Sequence, residues 1–90
     1  MKKLFIVILD PRVDASVIRR RITEMEDYYI VYDNQYLIFA DFDNAQKLYD
    51  QLVRDEDNTI RIVILEISIE NLTYWGYSDK GLWTWLASHK

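Results

Sequence analysis

Six consecutive apolar residues, Leu4-Phe5-Ile6-Val7-Ile8-Leu9, constrain this chain more than any other feature. A strand with one face in water alternates apolar and polar side chains, whereas a strand covered on both faces does not. Tyr36-Leu37-Ile38-Phe39-Ala40 repeats the pattern. The chain has 90 residues, which make one domain without room for two separate cores. Something must nevertheless lie over the second face of these two segments.

The rest of the chain shows how the two segments are used. Asp10-Pro11-Arg12 turns the backbone, and Asp14 is a natural N-cap. Behind it Ala15, Ile18, Ile22 and Met25 fall at helical spacing, which predicts a first helix over about 14–26. Tyr, Ile, Val and Phe favour strands, so 28–32 and 36–42 form a hairpin about Asp33-Asn34-Gln35, whose Asp and Asn tolerate positive φ. Asp43 to Gln46 reads as a capping box, followed by the apolar stripe Ala45, Leu48, Tyr49, Leu52 and Val53. A fourth strand is expected over about 60–69, and its apolar positions change parity between Ile64 and Leu65, which suggests a bulge or a strand whose two ends face different partners.

Strand, helix, strand, strand, helix, strand is the order of the α+β ferredoxin-like βαββαβ sandwich. It has a four-stranded antiparallel sheet with two helices on one face, and right-handed crossovers place the first and third strands in the centre. Residues 1–70 form this domain, and 71–90 a Trp-rich C-terminal segment with a short helix capped at Ser78. Leu82, Trp85 and Leu86 share one side of that helix. The segment can pack on its own domain or on a dimer partner, with Trp75, Trp83, Trp85 and Leu86 as the packing residues. Because several exposed large apolar side chains exceed what monomers usually tolerate, a homodimer is expected, with sheets face to face or edges joined through the tail.

Composition narrows the function classes. Fifteen acids against 11 bases give a net charge of −4, which argues against a broad basic surface for duplex phosphate. Arg19, Arg20 and Arg21 concentrate three of the bases, either as a solvated helix face or as phosphate contacts. With no cysteine there is no disulfide framework and no thiolate zinc site, a usage compatible with the cytoplasm. Lys2-Lys3 and a short apolar run invite comparison with a signal peptide, but an acid and a proline follow and no small-residue cleavage site does. No stretch approaches the length of a bilayer span, so no membrane partner is expected. The chain carries no glycine-rich phosphate loop and no Ser/His/Asp constellation. His89, next to the last residue, is expected in solvent.

Asp10 is the candidate for chemistry. It ends the first strand, at the end of the sheet that also carries Asp33, Asn34 and the loop acids Asp55, Glu56 and Asp57. Mg²⁺ needs only one or two carboxylates plus water, so two Asp10 side chains meeting across a dimer could hold an ion and activate water. An Asp before Pro also simply opens a turn. Tyr28, Tyr29, Tyr32 and Tyr36 could stack on bases or serve as strand residues.

The whole chain resembles the SinR-like family of the small CRISPR-associated adaptation-protein superfamily. The resemblance is carried by the strand ending "FIVILD", by the aromatic hairpin "YYIVYDNQYLIFADFD", and above all by "GYSDKGLWTWLASH", in which Gly76, Trp83, Trp85, Leu86 and His89 match the family's ending. It implies a ferredoxin-like homodimer, acting either as an interaction module linked to nucleic-acid or mobile-element defence or as an endoribonuclease dependent on Mg²⁺ or Mn²⁺. Only Asp10 carries over as metal ligand and catalytic residue. The partners it implies are RNA, DNA or a defence-system protein. Leu9 stands where the family has Tyr, Pro11 follows Asp10 directly, Tyr77 replaces a Trp, and Gly81 takes the place of a helix former.

Overall fold

A computed structural model describes residues 1–54 and 60–89. The elements run β1 (Lys3–Leu9), α1 (Ser16–Thr23), β2 (Tyr28–Tyr32), β3 (Gln35–Ala40), α2 (Ala45–Val53), β4 (Ile62–Ile67) and α3 (Lys80–His89). The strands form one antiparallel sheet in the order β2-β3-β1-β4. This is the ferredoxin-like α+β arrangement read from the sequence. Its two unbrokenly apolar strands, β1 and β3, lie side by side in the middle.

Local details differ from the sequence reading, each for a physical reason. Asp14 does not cap α1 as an N-cap; its Oδ1 accepts from Ser16 N at 3.0 Å in a turn, and the helix starts one residue later than that cap would set. α1 also stops at Thr23, whose hydroxyl donates to Arg20 O, so Met25 and Asp27 lie beyond the helix. Asn44, not Asp43, caps α2, its Oδ1 accepting from Lys47 N at 3.0 Å. Among the described residues Arg54 is the only non-glycine residue with positive φ, so the hairpin turn uses no left-handed residue at Asp33 or Asn34. The mismatch with the strand twist is taken up by an irregularity between Ile30 and Tyr32. Of the two readings of β4, the bulge is ruled out, its register against β1 running unbroken from Ile62 to Ile67. Ile62 and Ile64 of β4 pack on the helix-side core and Ile67 on the layer under α3, while Glu66 turns up on the helix side near Lys3, 3.8 Å away.

The sheet separates two apolar layers. On one face Phe5, Val7, Leu9, Tyr36 and Ile38 pack against Ile18 and Ile22 of α1 and Leu48, Leu52 and Val53 of α2. On the other, Leu4 and Leu37 are buried under Leu82 and Leu86 of α3, with Tyr29, Phe39, Ile67, Leu72, Tyr74, Trp83 and Trp85 around them. Each large aliphatic side chain so covered contributes about 1.5–3 kcal/mol. The second face is therefore roofed in part by the chain's own C-terminal segment. α3 stops short of one end, where Val63 and Leu65 of β4 stay 53% and 47% exposed beside the half-buried Ile6 and Ile8. No helix among the described residues is long and apolar enough to cross a membrane.

Candidate functional site

β1 leaves the sheet after Leu9, and a set of backbone bonds fixes where Asp10 emerges. Leu9 N donates to Asn34 O at 2.8 Å, and Asp10 N donates to Arg61 O at 3.1 Å. Asn34 Nδ2 returns a bond to Leu9 O at 3.2 Å. The side chain of Asp10 then folds onto its own turn. Its Oδ1 accepts from Arg12 N at 2.9 Å and from Arg12 Nε at 3.0 Å, while Oδ2 accepts from Arg12 Nη2 at 3.0 Å. The backbone bond is the turn motif expected of an Asp before Pro, and the guanidinium adds a two-pronged grip.

This geometry controls the electrostatics. The side-chain bonds from Arg12 come first among the causes that hold the Asp10 carboxyl at about 2, well below its ordinary 3.8. The backbone N–H of Arg12 and the charge of Arg61 act in the same direction, against the desolvation of the group. The same contact raises Arg12 above its usual value. The Asp10 side chain is 11% exposed and Arg12 81%, so the arginine lies over the carboxylate as a lid. An open cleft of about 600 Å³ adjoins the pair, lined by Ile8, Asn34, Ile60, Arg61 and Val63 as well as by the turn itself. A carboxylate in this state is a firmly ionised anchor for a guanidinium. Arg12 occupies three of the roughly four lone-pair sites that the carboxylate could offer to Mg²⁺ or Mn²⁺. Among the described residues no three Asp, Glu, His or Cys side chains are grouped to hold an ion. Asp55, Glu56 and Asp57 lie outside the described residues.

The arginine triplet does not act as one patch. Arg19 Nε donates to Asp33 O at 3.2 Å, tying α1 to the hairpin. Arg21 Nη1 donates to Leu52 O at 2.8 Å and to Val53 O at 3.1 Å, capping the last carbonyls of α2. Arg20 is exposed. Two of the three are thus joined to neighbouring elements. Nor do the four hairpin tyrosines make a stacking platform. Tyr36 is buried with its hydroxyl on Asp33 O, Tyr28 packs on the helix side, Tyr29 lies under α3, and Tyr32 is exposed.

The tail residues sort as follows. Leu86 is buried on the sheet, Trp83 and Trp85 are half-buried in the same cluster, and Trp75 is fully exposed. α3 is capped by Asp79 rather than Ser78: Asp79 Oδ1 accepts from Gly81 N at 3.1 Å while its Oδ2 accepts from Tyr29 Oη at 3.0 Å. The far end holds the feature that the sequence reading missed. His89 is not in solvent. Its Nδ1 faces Trp85 O at 2.7 Å and its Nε2 is bonded to Asp27 Oδ2, whose other oxygen accepts from Trp85 Nε1 at 3.0 Å. Ser88 Oγ also lies 3.1 Å from Nδ1 and donates to Trp85 O at 2.7 Å, so the end of the helix is closed on itself. Phe39 and Trp85 flank the imidazole, with ring centroids 4.6 and 4.1 Å away. The spacing of Trp85 and His89 by one helical turn was readable, but nothing local linked either to Asp27.

These contacts sort the molecule into a pinned anionic turn, a helix clasped over half of the sheet, and an uncovered apolar strip between them. Set against family models, curated proteins and solved structures, the chain matches none.

Proposed function

We propose that this protein is a homodimeric interaction module, two copies of which meet over the part of the sheet that α3 leaves open. The observation that carries the reading is the strip Ile6, Ile8, Val63 and Leu65. It is apolar throughout and continuous with the cleft beside Asp10, which shares Ile8 and Val63. A two-fold arrangement lets one such strip cover its own copy without any further surface. The setting in nucleic-acid or mobile-element defence rests on the SinR-like ending of the sequence.

Sedimentation at micromolar concentration tests the dimer. Twice the chain mass is expected, with Leu65→Lys reducing it to a single chain at unchanged far-ultraviolet circular dichroism. A wild-type protein that stays a single chain to high micromolar concentration would overturn the proposal. The endoribonuclease reading, with Asp10 contributed by both subunits, sets a metal ion in competition with Arg12 for each carboxylate. It is tested by incubating single-stranded RNA with Mg²⁺ or Mn²⁺ and either the wild type or Asp10→Ala. Cleavage that disappears in the variant would make the protein an enzyme; equal background in both removes that reading.

A further inference from the structure

Between β4 and α3 the chain passes through Tyr74-Trp75-Gly76-Tyr77, where the aromatic side chains divide into two kinds. Tyr74 lies flat on Trp83 of α3, the ring centroids 5.7 Å apart and the planes inclined by 9°. Trp75 and Tyr77 stand fully exposed. Gly76 separates them, and its lack of a side chain matters. A Cβ there would sit 3.8 Å from Trp83 Cη2, at ordinary contact distance, so the glycine leaves the outer rim of that indole uncovered. The result is an open recess of about 280 Å³ walled by Tyr74, Trp75, Gly76 and Trp83.

The chemistry of that wall selects its occupant. Three of its four residues present aromatic rings, and among the described residues no acid or base lines it. Ring faces carry the negative side of the aromatic quadrupole and attract cations at about 0.5–2 kcal/mol each. The chain's net charge of −4 acts in the same direction at longer range. A phosphate-bearing ligand would meet no basic side chain among the described lining residues and no favourable field from the net charge. A neutral ring would gain the contact area but nothing from the charge. The volume lies at the small end of ligand pockets, the scale of one head group rather than a nucleotide. Trp75, which covers nothing within the chain, can close over such a group at the cost of few internal contacts.

We infer that Tyr74, Trp75 and Trp83 form a binding site for an alkylated ammonium group, of the kind borne by choline or by a trimethylated lysine side chain. The site goes beyond the dimer reading and stands without it, since its walls come from one chain and share no residue with the strip on β1 and β4.

The experiment is a titration of the full chain with choline chloride, followed by tryptophan fluorescence and by the indole N–H resonances. Parallel titrations use the neutral carbon isostere of choline, in which a tert-butyl group replaces trimethylammonium, and adenosine. A saturable choline response on Trp75 and Trp83 is expected, weakened about tenfold or more for the isostere, since several ring contacts of this kind add up to that factor. Trp75→Ala, whose side chain supports nothing in the fold, should abolish it. Short peptides with and without a trimethylated lysine distinguish a free ligand from a side chain on a protein. An equal response to the isostere, a choline response retained in Trp75→Ala, binding of adenosine in place of choline, or no choline response at about 100 mM would each overturn the assignment.

Discussion

Gly81 shows how one residue can run against its local propensity for the sake of a neighbour. In the first turn of α3 an alanine would be favoured over glycine by about 1 kcal/mol. A Cβ at this position, however, would lie 2.7 Å from Tyr29 Oη, which Asp79 holds in place. Gly81→Ala should therefore destabilise the protein by about 1 kcal/mol, by displacing the hydroxyl from its bond. In a Tyr29→Phe background the obstacle is gone, and the same substitution should stabilise by a few tenths to about 1 kcal/mol. Urea unfolding of the four proteins reads the sign change directly. Asp10 offers a second test at this scale. Arg12 keeps its carboxyl at about 2 when folded, against an ordinary 3.8. A carboxylate with a depressed folded pKa contributes stability above its unfolded value and loses it as pH falls through the folded one. Wild-type stability should thus fall between about pH 4 and pH 2 by more than that of Arg12→Ala, in which the Asp10 carboxyl should titrate nearer its ordinary value than in the wild type. Urea midpoints across that range and the carboxyl carbon resonance of Asp10 check the two halves of the prediction.

The elements differ in how much of their placement depends on distant partners. β1, β3, α1 and α2 were legible because their apolar spacing states both their type and their buried face. The ferredoxin-like order followed from them. Less was legible where a side chain chooses among nearby backbone groups: Asp43 or Asn44 and Ser78 or Asp79 compete within a residue, and the outcome depends on the exact entry angle of the chain. The Asp10 turn was visible as a Pro turn, while the grip of Arg12 needed the path of the backbone through Pro11. The clasp on α3 was not legible at all, since Asp27 and His89 stand 62 residues apart and meet only after the sheet has formed. His89→Ala should cost about 2 kcal/mol, the scale of charge-assisted hydrogen bonds in a partly buried place. The loss should concentrate in α3, seen as faster amide exchange there than in α1 or α2.

Across the whole molecule, the chain's own C-terminal segment does much of the covering that the sequence reading left open between that segment and a second copy. If the remaining strip pairs two copies, unfolding becomes linked to association, and the thermal midpoint should rise with protein concentration. Leu65→Lys should flatten that dependence. The two-faced centre of the sheet has one more consequence, for how the strands find their alignment. Usually a strand that slides by one residue is rejected because polar side chains turn inward. Sliding β1 against β3 would only exchange one greasy row for another. Polar brackets at its ends remove that freedom. Lys3 is fastened to Asp43 O at 2.7 Å, and Asn34 and Arg61 catch the backbone of Leu9 and Asp10 on either side. Any step along the strand would break these bonds or drag a charged carboxylate and its arginine into the sheet, so alignment here is written at the two margins of the strand and not along its length.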